Sequence, residues 1–129
     1  MRLFVVRHAE AAPGDPDELR PLTDAGRAAA RALGDRLAEH ELDAVLSSPL
    51  LRARETADAI ARAAGLVAEP DERLAPGADA DSVREAVAGR GDTVVTVGHQ
   101  PDCSEIALAV LGRDPGFPVA GMAELELIA

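Results

Sequence analysis

Apolar residues in this chain come in short unbroken runs separated by stretches of helical spacing. Leu3, Phe4, Val5 and Val6 form the first run, which ends on Arg7 and His8. A run of that length with two Val predicts a buried strand over 2–7. Pro13, Gly14, Pro16 and Pro21 break any regular pattern after it, so residues 9–22 read as loop. Thr23 is a good N-cap, Asp24 suits the positive end of a helix dipole, and Leu33 and Leu37 mark the buried face of a first helix. "LDAVLS" (42–47) predicts the second strand. In "SSPLLRARETADAIARAAG" (47–65), Ser48 reads as N-cap, Pro49 as the first helical residue and Gly65 as the stop. Ala53, Ala57 and Ile60 give that helix its apolar stripe.

The second half repeats the alternation. "LVAEP" (66–70) is a weak strand pattern, and a shorter helix comes next, capped by Asp79 or Asp81. "DTVVTVGH" (92–99) is nearly all apolar, as a strand in the middle of a sheet requires. The helix after it should bury Ile106, Ala109 and Val110. Cys103, one turn before Ile106, should be buried and inert. "MAELELIA" (122–129) alternates apolar and polar residues like an edge strand. This alternation predicts an α/β fold: a mostly parallel central sheet flanked by helices in a three-layer sandwich. No linker or repeat interrupts residues 1–129, which read as a single domain.

Composition narrows the function. The net charge is −10, and all 13 basic residues are Arg. Without a basic stripe or stacking aromatics, no nucleic-acid partner is expected. Without a polybasic run or an apolar stretch of about 20 residues, no membrane partner is expected either. A single cysteine makes no internal disulfide, which points to a reducing, cytoplasmic setting.

In open α/β sheets, ligands sit beyond the carboxyl ends of the strands. His8 comes directly after the first strand, His99 directly after the central one, and Arg52 opens the helix after the second. Arg7, His8, Arg52 and His99 should therefore meet at one sheet edge. A neutral imidazole can attack phosphorus, provided an acceptor such as a loop carbonyl holds its other nitrogen as N–H. Arg7 and Arg52 would stabilise the transferring phosphoryl group, and a cationic His99 would add a donor. No metal or other cofactor is required by this chemistry. Arg20, Glu10 and Glu18, in the loop after His8, are further candidates for substrate contact. Ser48 is expected to cap a helix, Arg54 to face solvent, and His40 to end a helix without a function.

With these residues in order, the chain resembles the histidine phosphatase, or phosphoglycerate mutase-like, superfamily. The resemblance covers nearly all of the chain and rests on Arg7-His8, "SSPLLRARETA" with Arg52, and "VGHQPD" with His99. "RHAEA", "RPLTDAGR" and "LAPGAD" make it most similar to the short SixA-type phosphohistidine phosphatases. Two departures stand out. Ala9 replaces a Gly, so that position needs no Gly-only backbone. Pro76 stands where larger members carry a general-acid Glu.

The resemblance implies a phosphatase with a phosphohistidine intermediate on His8. Loss of a general acid typically forfeits a factor of about 10² to 10⁴, mostly for poor leaving groups. An imidazole leaves far more readily than an alkoxide. The expected substrate is therefore phosphohistidine on a signalling or phosphotransfer protein. The alternatives are a small-molecule phosphomonoesterase of the same superfamily, or a phosphate-binding module without turnover.

Overall fold

The computed structural model describes residues 1–128 of the chain. Its strands are β1 (Arg2–Arg7), β2 (Ala44–Ser47), β3 (Glu69–Pro70), β4 (Thr93–Gly98) and β5 (Met122–Glu126). They form one sheet in the order β3-β2-β4-β1-β5. β1 through β4 are parallel, and β5 runs antiparallel along the outer edge of β1. The helices are α1 (Asp24–Leu37), α2 (Leu51–Ala63), α3 (Ala80–Val87) and α4 (Asp102–Leu111). This is the α/β sandwich that the pattern predicts, with β4 between β2 and β1.

The period of two along each strand sorts the core onto two faces. Leu3 and Val5 join Leu46, Val94 and Leu125 beneath Val83 and Val87 of α3 and Ile106 and Ala107 of α4. Phe4 and Val6 join Val45, Val95 and Val97 beneath Leu33 and Leu37 of α1 and Ala57 and Ile60 of α2. Each fully buried Leu, Ile or Val contributes about 1.5–3 kcal/mol of transfer free energy. Small residues let α1 and α2 lie close together: a Cβ on Gly34 would sit 2.9 Å from the Ala59 carbonyl oxygen.

Several local expectations hold. Thr23 accepts from Gly26 N at 2.9 Å and caps α1. Asp79, not Asp81, caps α3, in a reciprocal pair with Ser82. Gly65, at φ 73°, lies just past the end of α2, and Cys103 is buried. Four details differ. α2 begins at Leu51, so Ser48 and Pro49 lie outside it, and its N-cap position, Leu50, has no side-chain cap. The Ser48 hydroxyl lies against the His99 ring and accepts from Leu50 N just before the helix. In α4, Ala107 is buried while Ala109 faces solvent, because the helix turns residues 103, 106, 107 and 110 toward the sheet. The weak third strand shrinks to Glu69–Pro70, which pairs with β2 only at Leu46 and Ser47. β5 ends at Glu126, and Ala129 of the expected edge strand lies outside the described residues.

Candidate active site

The carboxyl ends of β1, β2 and β4 lie side by side. His8 N donates to the Gly98 carbonyl at 3.0 Å, and Ser48 N donates to the Val97 carbonyl at 2.9 Å. The end of β1 and the segments that follow the three strands open onto one hollow of about 340 Å³, lined by Arg7, His8, Glu10, Arg20, Arg52 and His99. Ala11, Pro76, Gln100 and Val119 complete its wall. Four residues from three segments thus meet as the sequence suggests, joined by Arg20 and Glu10. Glu18 stays exposed and is not among the lining residues.

His8 is held in one tautomer. Its Nδ1 lies 2.7 Å from the Ala9 carbonyl oxygen, which accepts, so Nε2 carries the free lone pair. The Ala9 backbone is itself fixed: its N–H donates to Thr56 Oγ1 at 3.0 Å, and that hydroxyl donates to the Arg52 carbonyl at 2.8 Å. One buried threonine thus links the loop after His8 to the helix that carries Arg52. Residues beyond Ala9 are seated on α1. Thr23 N donates to the Glu10 carbonyl at 3.0 Å, and a Cβ on Gly26 would collide with that oxygen at 2.1 Å. Only glycine permits this approach.

Burial, followed by the nearby Arg52, Arg7 and Arg20 guanidinium groups, lowers the His8 pKa below 6.5, although its bond to Ala9 opposes the shift. His99 is pushed down to about 4, first by burial and then by His8 and Arg52. The two rings lie 5.3 Å apart, centre to centre. The expectation of a cationic His99 is therefore corrected: near neutral pH it is uncharged, because a further positive charge beside the arginines in a buried setting is too costly. His99 Nε2 lies 2.7 Å from Ser48 Oγ.

Arg7 Nη1 donates to the Phe117 carbonyl at 3.0 Å. Its buried Nε, like His99 Nδ1, has no hydrogen-bond partner among the described residues. Orphaned buried donors are costly unless a ligand supplies the acceptor. Here they belong to two residues of one hollow, beside two more guanidinium groups. Such a site is built for a compact anion with several oxygens. Among the described residues, no group of three His, Cys, Asp or Glu side chains is arranged to hold a metal ion.

Sequence reading missed three contributors. Asp17 binds both Arg20 and Arg52; its spacing of three from Arg20 is a charge-pair signal, but one too common to single it out. The turn around Phe117–Gly121 cradles β1 through Ala120 N, which donates to the His8 carbonyl, and Gly121 O, which accepts from Arg7 N. Ser48 holds the His99 ring as well as the N–H of Leu50 at the start of α2.

Known proteins share this fold and much of this sequence. A protein of Picosynechococcus sp. without an assigned activity is 38% identical over 121 residues, covering 85% of this chain and 73% of that protein. The structure of the protein histidine phosphatase SixA complexed with tungstate superposes with a TM-score of 0.86 at 27% identity, covering 98% of this chain and 88% of that one. A protein of Agrobacterium tumefaciens assigned as a phosphohistidine phosphatase SixA has a TM-score of 0.78 at 30% identity, over 95% and 89% of the two chains. The family model of the histidine phosphatase superfamily (branch 1) matches residues 3–76, so the chain belongs to that superfamily.

Proposed function

We propose that this phosphatase works through a phosphohistidine intermediate on His8 and removes phosphate from phosphohistidine on a signalling or phosphotransfer protein. His8 Nε2 attacks phosphorus, the leaving group departs, and water then releases phosphate from His8. Arg7, Arg52 and His99 hold the phosphoryl oxygens through both steps, with Arg20 as a further donor. Glu10, whose carboxylate accepts from the Thr23 hydroxyl at 2.7 Å, contacts the substrate at the rim. Glu18 is set aside from the site. We place the reaction within one domain, residues 1–129, in the cytoplasm, with neither metal nor cofactor; the buried lone thiol of Cys103 suits a reducing setting.

The observation that carries the substrate assignment is Pro76 in the wall of the hollow. A proline there supplies no proton. An imidazole leaving group needs less help than an alkoxide, so a site without that acid suits P–N bonds better than P–O bonds. The tungstate complex of the similar SixA shows that a site in this fold accepts a phosphate-like oxyanion.

A side-by-side measurement of kcat/KM on a phosphohistidine protein, phosphoramidate, and a panel of sugar and nucleoside phosphates tests the proposal. Preference for P–N substrates is expected. Preference for a single ester moves the chain to the small-molecule phosphomonoesterases. Phosphate binding without turnover of any substrate makes it a binding module.

A further inference from the structure

Asp17 opens the 3-10 turn Asp17–Leu19 and is not among the residues lining the hollow. It nevertheless touches two that are. Its Oδ1 accepts from Arg20 Nη1 and its Oδ2 from Arg52 Nη2, both at 3.1 Å. Its backbone carbonyl accepts from Arg52 Nη1 at 2.9 Å. Arg20 Nε donates to the Ala12 carbonyl at 2.9 Å. A guanidinium group has five N–H donors in a fixed plane, so three remain on each arginine after these contacts.

Two guanidinium groups side by side repel, and each long side chain has many rotamers. A carboxylate shared between them offsets the repulsion and selects one geometry. The carboxylate stays ionised near neutral pH, because the hydrogen bonds from Arg20 and then Arg52 hold it below the usual aspartate range.

We propose that Asp17 is a positioning residue: by bridging Arg20 and Arg52 from outside the hollow, it sets both guanidinium groups as one clamp for the phosphoryl oxygens. The proposal rests on the reading that the hollow takes a phosphoryl group. It also predicts a sign opposite to simple electrostatics. A carboxylate near an anion site repels the anion, so charge alone would make its removal tighten binding. Loss of the clamp makes removal weaken it.

The test is tungstate and inorganic phosphate affinity by calorimetry, with kcat and KM for phosphoramidate alongside. The variants are Asp17→Ala, Asp17→Asn and Asp17→Glu, and thermal melting confirms that each is folded. Asp17→Asn keeps the size of the side chain and serves if Asp17→Ala fails to fold. Both neutral variants should bind tungstate about two- to fivefold more weakly, the scale of an exposed ion pair. Their kcat should fall, and Asp17→Glu should recover part of both losses. Equal or tighter tungstate binding by the neutral variants overturns the proposal. Binding is read without turnover. An unsubstituted protein that binds tungstate but hydrolyses nothing defeats the phosphatase mechanism and leaves the result at Asp17 standing; one that binds no tungstate defeats both.

Discussion

The Ser48 hydroxyl stands 2.7 Å from Nε2 of His99, and this contact decides where the imidazole proton sits. Ser48 is fully buried, and its Oγ already accepts from Leu50 N at 3.2 Å. A buried hydroxyl must also donate, and His99 Nε2 is the acceptor within reach. The neutral imidazole therefore carries its proton on Nδ1, the atom that has no partner among the described residues. An uncharged His99 can still donate to a phosphoryl oxygen.

Ser48→Ala should release that constraint. The expected result is a mixture of His99 tautomers in ring-nitrogen NMR and a kcat lower by about tenfold, the usual effect of one lost hydrogen bond. Ser48→Thr, which keeps the hydroxyl, should retain both the tautomer and most of the rate. A His99 that stays wholly Nδ1-protonated in Ser48→Ala would show that the serine does not set the proton.

The depressed pKa values of both imidazoles fix the direction of the pH response. His8 must be neutral to attack, so the acid limb of kcat/KM should lie below pH 6.5. A limb centred above 6.5 contradicts this environment for His8.

Stability should respond with the same sign. Between 6.5 and about 4, the unfolded chain protonates His99 freely while the folded chain resists. The contribution is fully present above 6.5 and is lost as pH falls toward 4; for His99 it is on the order of 3 kcal/mol. Asp17, Asp71 and Asp79, with pKa values held below 3.8, titrate under this window. Urea unfolding near pH 4 and above 6.5 checks the expectation. His99→Gln should flatten the difference, and an unchanged difference counts against the assignment.

The legible features of the sequence are those whose signals are local. β1, β4 and the buried faces of α1 and α2 are set by period, and period survives tertiary packing. Arg7, His8 and His99 were legible because each sits at the end of an apolar strand, and parallel topology carries strand ends to one edge. Ser48 was misread because its place before Pro49 looks like a cap, and nothing local reveals that His99 folds back onto it from 51 residues away. The charge state of His99 was misread for a related reason: burial and the neighbouring Arg52 exist only after folding. Asp17 was invisible because an exposed loop carboxylate is ordinary until two arginines from different segments converge on it.

His8→Ala should abolish turnover and leave the fold intact, since the His8 side chain bonds only to its neighbour's backbone among the described residues. Arg52→Ala should cost on the order of 10² to 10³ in kcat, the usual effect of removing one transition-state donor. It should also loosen the 3-10 turn at Asp17, because Arg52 gives two of its hydrogen bonds to that residue. Kinetics with circular dichroism separates the effects: a full rate in either variant removes that residue from the mechanism.

Pro76 offers a direct test of how much the leaving group needs a proton. Its side of the hollow is reached by the loop that Asp102 pins down, since Gly77 N donates to Asp102 Oδ2 at 2.8 Å. Pro76→Glu places a carboxylic acid where larger members of the superfamily carry one and leaves that anchor in place. A supplied general acid speeds the departure of a poor leaving group by about 10² or more when well placed, and helps a good one little. Turnover of an alkyl phosphate should therefore rise in Pro76→Glu, while turnover of phosphohistidine stays within a few-fold. The ratio of the two kcat/KM values is the measurement, because any general disturbance of the site cancels in it. A ratio unmoved by the substitution would mean that proton donation at this wall does not separate P–O from P–N chemistry, and the substrate assignment would lose its physical basis.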